Sequence, residues 1–267
     1  MKVDNTDTIN MVDNHIRSLN VIDNNVLDVL KIIPRKIFTP ETYKNFSHID
    51  INIPIGNNEY MLMPSVEAKL LQALNIKLNE DILVIGSGTG YLSSCASLLG
   101  NKVHAIDIYS DLIEISKKNS NHDFLKTNIL YECLDIMDNL SIIKKYNIII
   151  LTSSIDNIDI ITNHMNSNSR AFIFFGKNTA PMKTGILLTK LKSVFPTIFH
   201  FIHLNCKKQN LHLLIGMKVI NSFINIDLKT DEKVYFSSDN HLGAPDHASS
   251  LVREKRFVNW LDSIKHD

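Results

Sequence analysis

The stretch from Asp81 to Leu99 limits the fold more than any other part of this chain. Four apolar residues, Ile82-Leu83-Val84-Ile85, run without polar alternation into Gly86-Ser87-Gly88-Thr89-Gly90, and helical spacing follows from Tyr91 to Leu99. A strand apolar on both faces belongs inside a sheet that is covered on both sides. Three alternate glycines each add chain entropy to be lost on folding, so a plain turn has little use for them. They suit a backbone that must turn sharply and come close to a ligand, with a helix N-terminus beside it for a polar or anionic group.

The same alternation continues downstream. Strands are expected at 102–107, 129–133, 146–152 and 171–175, with helices at 112–118 and 158–165. The run Ile148-Ile149-Ile150-Leu151 lacks polar alternation and reads as central. Residues 184–191 and 197–204 look like a closing pair, and 211–217 like one more strand. Strand and helix in repetition predict an α/β fold: a Rossmann-like, mostly parallel seven-stranded sheet with helices on both faces.

The form of the turn separates the ligands such folds hold. A dinucleotide fingerprint needs a third glycine at position 91, which is Tyr91, and the Gly-Lys-Ser/Thr of a P-loop is absent. A G-x-G-x-G turn after a strand is the form that cradles the amino-acid part of S-adenosylmethionine, so that cofactor is expected on Gly86, Ser87, Gly88, Thr89 and Gly90. Asp107 ends the next strand, where a carboxylate can accept both ribose hydroxyls. Ile108 adjoins it, and Asp135, after the following strand, can accept from an adenine amino group.

Upstream, Ile9, Val12, Ile16 and Leu19 recur at helical spacing. A second set, Val26, Leu27, Leu30 and Ile33, follows Asp23 as N-cap and stops before Pro34. Residues 36–64 read as irregular, with Pro40, Pro54, Gly56 and Pro64. Pro64 then opens an amphipathic helix carrying Val66, Leu70, Leu71 and Leu74. The expected division is a helical extension over 1–45, a cofactor-binding domain over 46–222 and an appendage over 223–267.

Composition narrows the partners. Lys plus Arg equals Asp plus Glu at 28 each, and such a balance gives no electrostatic reason to expect nucleic acid or a membrane surface as partner. Cys95, Cys133 and Cys206 are odd in number and lack C-x-x-C spacing, which suits thiols in a reducing compartment. The polar start and the lack of any long apolar run lead to the expectation of a cytoplasmic protein without signal peptide or membrane span.

With these motifs in place, the chain resembles the protein-L-isoaspartate O-methyltransferases, in a diverged bacterial branch, over roughly residues 7–220. The matching runs are Ile33-Pro34-Arg35-Lys36-Ile37-Phe38-Thr39-Pro40, Ile53-Pro54-Ile55-Gly56, Met63-Pro64, Val84 through Leu92, and Tyr146 through Thr152. The resemblance implies a class I methyltransferase that uses S-adenosylmethionine to methylate abnormal aspartyl carboxylates in damaged proteins. It acts on protein or peptide substrates and is expected as a monomer. Pro54, Ile55, Gly56 and Met63 would line the acceptor side.

The family usually carries Ser or Thr two residues before the proline that opens the helix. This chain has Leu62 there. Ser65, Thr152 and Ser153 are the candidate replacement hydroxyls. Asn168-Ser169 stand where the family tends to have paired glycines. Two alternatives follow from Leu62: a small-molecule acceptor, or a domain that binds the cofactor without turnover.

Residues 233–267 have a different texture. Ser238-Asp239-Asn240-His241-Leu242-Gly243-Ala244-Pro245 resembles the opening of a metallophosphoesterase of the UDP-2,3-diacylglucosamine diphosphatase kind. Asp239 and His241 match its first metal-ligand pair, but the later ligand motifs are absent, so weak metal binding is the most that is expected there.

Overall fold

The computed structural model describes residues 6–122, 128–177, 182–190 and 198–207. The expected strand at 211–217, the appendage over 223–267, and Asp239 and His241 lie outside the described residues.

The chain opens with a helical run, α1 (Thr6–Asn10), that widens into a π turn over Met11–Ile16 and tightens to 3-10 over Arg17–Leu19. That change of pitch rotates the buried stripe. Met11, Val12 and Ile16 face the core, whereas Ile9, expected inside, is exposed. Helix α2 (Asn24–Ile32) starts where expected, with Asp23 accepting from the Asn25 N–H at 2.9 Å, and buries Val26, Leu27 and Leu30. A one-turn helix, α3 (Arg35–Phe38), follows Pro34.

The supposedly irregular stretch to residue 64 holds a small hairpin of β1 (Ile53–Gly56) and β2 (Glu59–Met61). Asn57 and Asn58 both have positive φ, 52° and 59°, the backbone of a two-residue hairpin turn. Strands of four and three residues give too short a pattern for periodicity to reveal. Helix α4 (Pro64–Leu74) then begins at its proline.

Next come β3 (Ile82–Ile85), α5 (Tyr91–Leu99), β4 (Val103–Asp107), α6 (Ser110–Asn119), β5 (Ile129–Cys133), β6 (Ile148–Ile155), α7 (Asp159–Thr162), β7 (Arg170–Phe175), β8 (Met182–Thr189) and β9 (Ile198–Lys207). Seven strands form one sheet in the order β5-β4-β3-β6-β7-β8-β9. Pairing is parallel as far as β7, and antiparallel for β7–β8 and β8–β9. The expected fold class is the one observed.

Alternate residues of each strand enter two cores. Ile82, Val84, Val103, Ala105, Ile148, Ile150 and Phe172 join the core shared with α2, α4 and α5. Leu83, Ile85, Ile106, Ile149, Leu151 and Ile173 join the other, capped by Ile143 and Ile161. The helices of the first 45 residues thus share a core with the sheet. At the loop before β7, Asn168 takes the left-handed conformation at φ 66°. Asparagine tolerates that region better than most residues, which accounts for a non-glycine there.

The chain leaves β3 toward β4 and β5 on one side, and toward β6 on the other. Strand order therefore reverses between β3 and β6, and the crevice beyond their C-terminal ends is where open α/β sheets take ligands.

Candidate functional site

The glycine turn lies at that crevice. Gly86, Gly88 and Gly90 have φ of 82°, 54° and 91°, all in the left-handed region. The backbone N–H groups of Gly86 and Ser87 both donate to the Ile106 carbonyl, at 2.9 and 3.0 Å, which pins the turn to β4. At Gly86 a Cβ would run into Thr152 Oγ1, and at Gly90 it would lie 2.9 Å from Ser116 Cβ. Both positions therefore exclude side chains by space as well as by φ.

Thr152 falls where the β6–β7 register is interrupted, between Ile150 and Ser154. Its hydroxyl donates to the carbonyls of Ile85, at 3.1 Å, and Gly86, at 2.8 Å. The hydroxyl is thus occupied in holding the turn. Ser65 is also engaged. Its N–H and Oγ donate to the two carboxylate oxygens of Asp50 at 2.9 and 2.7 Å, so Asp50 caps α4. Ser153 is exposed.

Asp107, 7% exposed, reaches back to the turn. One oxygen accepts from the Gly88 N–H at 2.9 Å and the other from the Tyr109 N–H at 3.2 Å. Burial raises its pKa, opposed by those backbone donors and by the Ile108 N–H. A carboxylate has about four lone-pair sites, so these three backbone donors leave about one open. Ile108 is exposed beside it, and Asp135 is exposed with one oxygen accepting from the Met137 N–H at 2.8 Å. The Leu134 N–H donates to the Asp107 carbonyl at 2.9 Å, which keeps the two acids' strand ends adjacent.

A cavity lies between the turn and the hairpin. Of the residues picked out from the sequence, Ile55, Leu62, Gly86, Ser87, Gly88, Thr89 and Thr152 line it. Pro54, Gly56, Met63, Ser65, Gly90, Asp107, Ile108 and Asp135 do not. Tyr60, Met61, Glu67, Tyr91 and Leu92 complete the wall. Ser87 Oγ is buried and has no hydrogen-bond partner among the described residues. The hairpin arches over from one side, and its tip is tied across to α6 by Asn57 Nδ2, which donates to both carboxylate oxygens of Asp111 at 3.1 and 3.0 Å.

Sequence reasoning missed a polar centre behind this wall. Arg35 is completely buried and donates to the Glu67 carboxylate and to the Leu62 carbonyl. Its guanidinium lies 4.9 Å from the centre of the Tyr91 ring, against which Phe38 packs edge-on at 5.5 Å. Burial lifts the Glu67 carboxyl to about 7, with Arg35 pulling it down and Asp50 pushing it up. A signal was available: Glu67 stands three, four and seven places before Leu70, Leu71 and Leu74, so an acid occupies the apolar stripe of α4.

Comparisons with known proteins identify the family. The sequence profile of the protein-L-isoaspartate(D-aspartate) O-methyltransferases matches residues 6–165, more than half of the chain. The chain belongs to that family. A protein-L-isoaspartate O-methyltransferase of Flavobacterium johnsoniae is 34% identical over 109 residues, which cover 41% of this chain and 49% of the relative. One from an Anaeromyxobacter species is 30% identical over 107 residues, covering 40% and 44%. The chain spans about half the length of these curated relatives. Among solved structures, a Plasmodium falciparum protein described as a beta-aspartate methyltransferase in complex with S-adenosyl-L-homocysteine superposes with a TM-score of 0.64. It is 18% identical, and the match covers 80% of this chain and 99% of that one. This likeness bears on the fold, a class I methyltransferase sheet. Among the described residues, no helix is long and apolar enough to cross a membrane, and no group of three or more potential metal ligands occurs.

Proposed function

We propose that this chain is an S-adenosylmethionine-dependent carboxyl O-methyltransferase that acts on L-isoaspartyl residues of proteins or peptides, as a cytoplasmic monomer. Membership of the family supports the reaction class. The observation that carries the reading at the site is the turn itself: three left-handed glycines at the end of β3, with the buried carboxylate of Asp107 hydrogen-bonded to the middle one.

The residues present suit that cofactor. Gly86 and Gly90 leave no room for side chains of their own, the buried Ser87 hydroxyl lacks a partner among the described residues, and Asp107 keeps acceptor capacity for a ribose hydroxyl. The P. falciparum neighbour was solved with the demethylated form of the same cofactor, which supports the assignment. In this reading Gly86, Ser87, Gly88, Thr89 and Gly90 hold the amino-acid end, Asp107 the ribose, and Ile108 with Asp135 the adenine. Bound there, S-adenosylmethionine would supply an electrophilic methyl group on sulfur.

An isoaspartyl carboxylate is already an anion at neutral pH, so its methylation needs no general base. The work left to the chain is orientation and exclusion of water. Ile55, Leu62 and Leu92 give the cavity an apolar wall; Pro54 and Gly56 flank Ile55 in β1, and Met63 follows Leu62 in the link to α4. Leu62 offers no hydroxyl to align the acceptor, while Ser65 and Thr152 spend theirs on Asp50 and on the turn. A missing bond to a charged partner is worth about 1.5–3 kcal/mol, which slows such an enzyme without silencing it. The same three observations favour a second reading, a smaller and less polar methyl acceptor.

The test measures transfer of labelled methyl from S-adenosylmethionine to an isoaspartyl peptide, beside its normal aspartyl counterpart and a panel of small acceptors. Selective labelling of the isoaspartyl peptide is expected. Cofactor binding in a calorimeter with no peptide turnover would sink the acceptor assignment and leave the second reading.

A further inference from the structure

Arg35 touches three residues of the cavity wall without lining the cavity. It donates to Glu67 on α4 and to the Leu62 carbonyl in the link before α4, and it faces the Tyr91 ring at the start of α5. Leu62 stands on the hairpin side and Tyr91 directly follows the glycine turn, so one guanidinium from α3 joins both walls. A guanidinium taken wholly out of water is costly, the more so here because Arg35 Nε finds no hydrogen-bond partner among the described residues, and an apolar side chain would fill the space at lower cost. Its fork can also hold two acceptors at a fixed separation, which a lysine cannot do.

The cavity lining holds Glu67 but no lysine or arginine among the described residues. We propose that Arg35 is a positioning residue of the acceptor side: clamped by Glu67, it fixes Leu62 against the glycine turn and supplies, from behind the wall, the positive charge that an anionic acceptor meets. The proposal rests on the methyltransferase reading above and deepens it.

The groups facing Glu67 are Arg35 from α3, Asp50 from the connection before β1, and Tyr91 and Cys95 from α5. Burial pushes the Tyr91 hydroxyl and the Cys95 thiol far up, so both stay neutral between pH 6 and 8. Glu67, lifted to about 7, changes charge in that window. When it is ionised the pair is neutral, and when it is protonated the pair is net positive. An anionic acceptor therefore binds better below pH 7 than above it, because its own carboxylate stays ionised throughout.

The experiment uses the full chain, S-adenosylmethionine and an isoaspartyl peptide, with kcat and acceptor KM measured from pH 6 to 8 for the wild type, Arg35→Lys and Glu67→Gln. Cofactor affinity is measured alongside by calorimetry. The wild-type acceptor KM is expected to rise about threefold or more with pH, and Glu67→Gln to flatten that rise. Arg35→Lys is expected to lower kcat/KM at least about tenfold, with cofactor affinity held within about threefold. Unchanged kcat/KM in Arg35→Lys, or the same pH slope in Glu67→Gln as in the wild type, overturns the proposal. If Arg35→Lys fails to fold, the Glu67→Gln slope decides alone. If the wild type binds cofactor but does not turn the peptide over, the acceptor reading falls, and amide hydrogen exchange decides the positioning. Faster exchange in Arg35→Lys confined to residues 59–63 supports it, and unchanged exchange there overturns it.

Discussion

The two walls of the cavity are built on different principles. The glycine-turn wall is local: strand β3, five residues of turn and helix α5 follow one another in the chain, and Asp107 is the end of the next strand. Its contacts are mostly backbone hydrogen bonds and close approaches that only glycine permits. The hairpin wall is assembled from a distance. A short hairpin, the residue before a helix, and a guanidinium from the N-terminal segment meet there, held by a buried ion pair. A wall made of backbone tolerates no added atom, whereas a wall made of side chains can change its chemistry one residue at a time.

The largest effect should come from the first wall. Gly86→Ala forces a side chain against Thr152 Oγ1 at φ 82°, where left-handed strain alone is worth about 1–3 kcal/mol. Calorimetry should show cofactor affinity down by about 100-fold. Full affinity would mean that the turn is not the cofactor's seat. On the second wall, Leu62→Ser restores a hydroxyl beside the acceptor. One charge-assisted hydrogen bond is worth about 1.5–3 kcal/mol, so isoaspartyl kcat/KM should rise about tenfold with cofactor affinity unchanged. No gain would indicate a different acceptor.

A third, smaller effect separates the walls by pH. Glu67 is lifted from its ordinary 4.5 to about 7, so the native state favours its proton. That contribution to stability is fully present below about 4.5 and is lost as pH rises through about 7. Thermal melts should find Glu67→Gln close to the wild type at pH 4.5 and gaining on it up to pH 8. A constant gap would contradict the buried carboxyl. The smallest effect is at the hairpin tip. Asn57→Ala breaks an exposed tie to Asp111, worth no more than about 1 kcal/mol, and should lower the melting temperature by under about 4 °C.

What could be read in advance follows the same division. Ile82 to Ile85, the three glycines, Tyr91 and the alternation out to β9 are short-range patterns, and they determined the sheet, its class and the place of the turn. The helix at Pro64 and the Asp23 cap were legible for the same reason, since proline geometry and capping are decided within a few residues. The hairpin was not, because strands this short carry no period. The buried face of the first helix was legible at Val12 and Ile16 but not at Ile9, because a π turn shifts which residues face inward.

The commitments of hydroxyls were beyond any pattern. Ser65 bonds to Asp50, fifteen positions away, and Thr152 to the Ile85 and Gly86 carbonyls, more than sixty away. The sequence by itself determined a methyltransferase-type sheet, its glycine turn and the substitution at Leu62. Only the tertiary structure decided that Arg35, Glu67, Leu62 and Tyr91 form one buried centre. Groups 27 to 56 positions from Arg35 in the chain meet it through packing, and the acceptors for two of its guanidinium nitrogens come from Glu67 and Leu62.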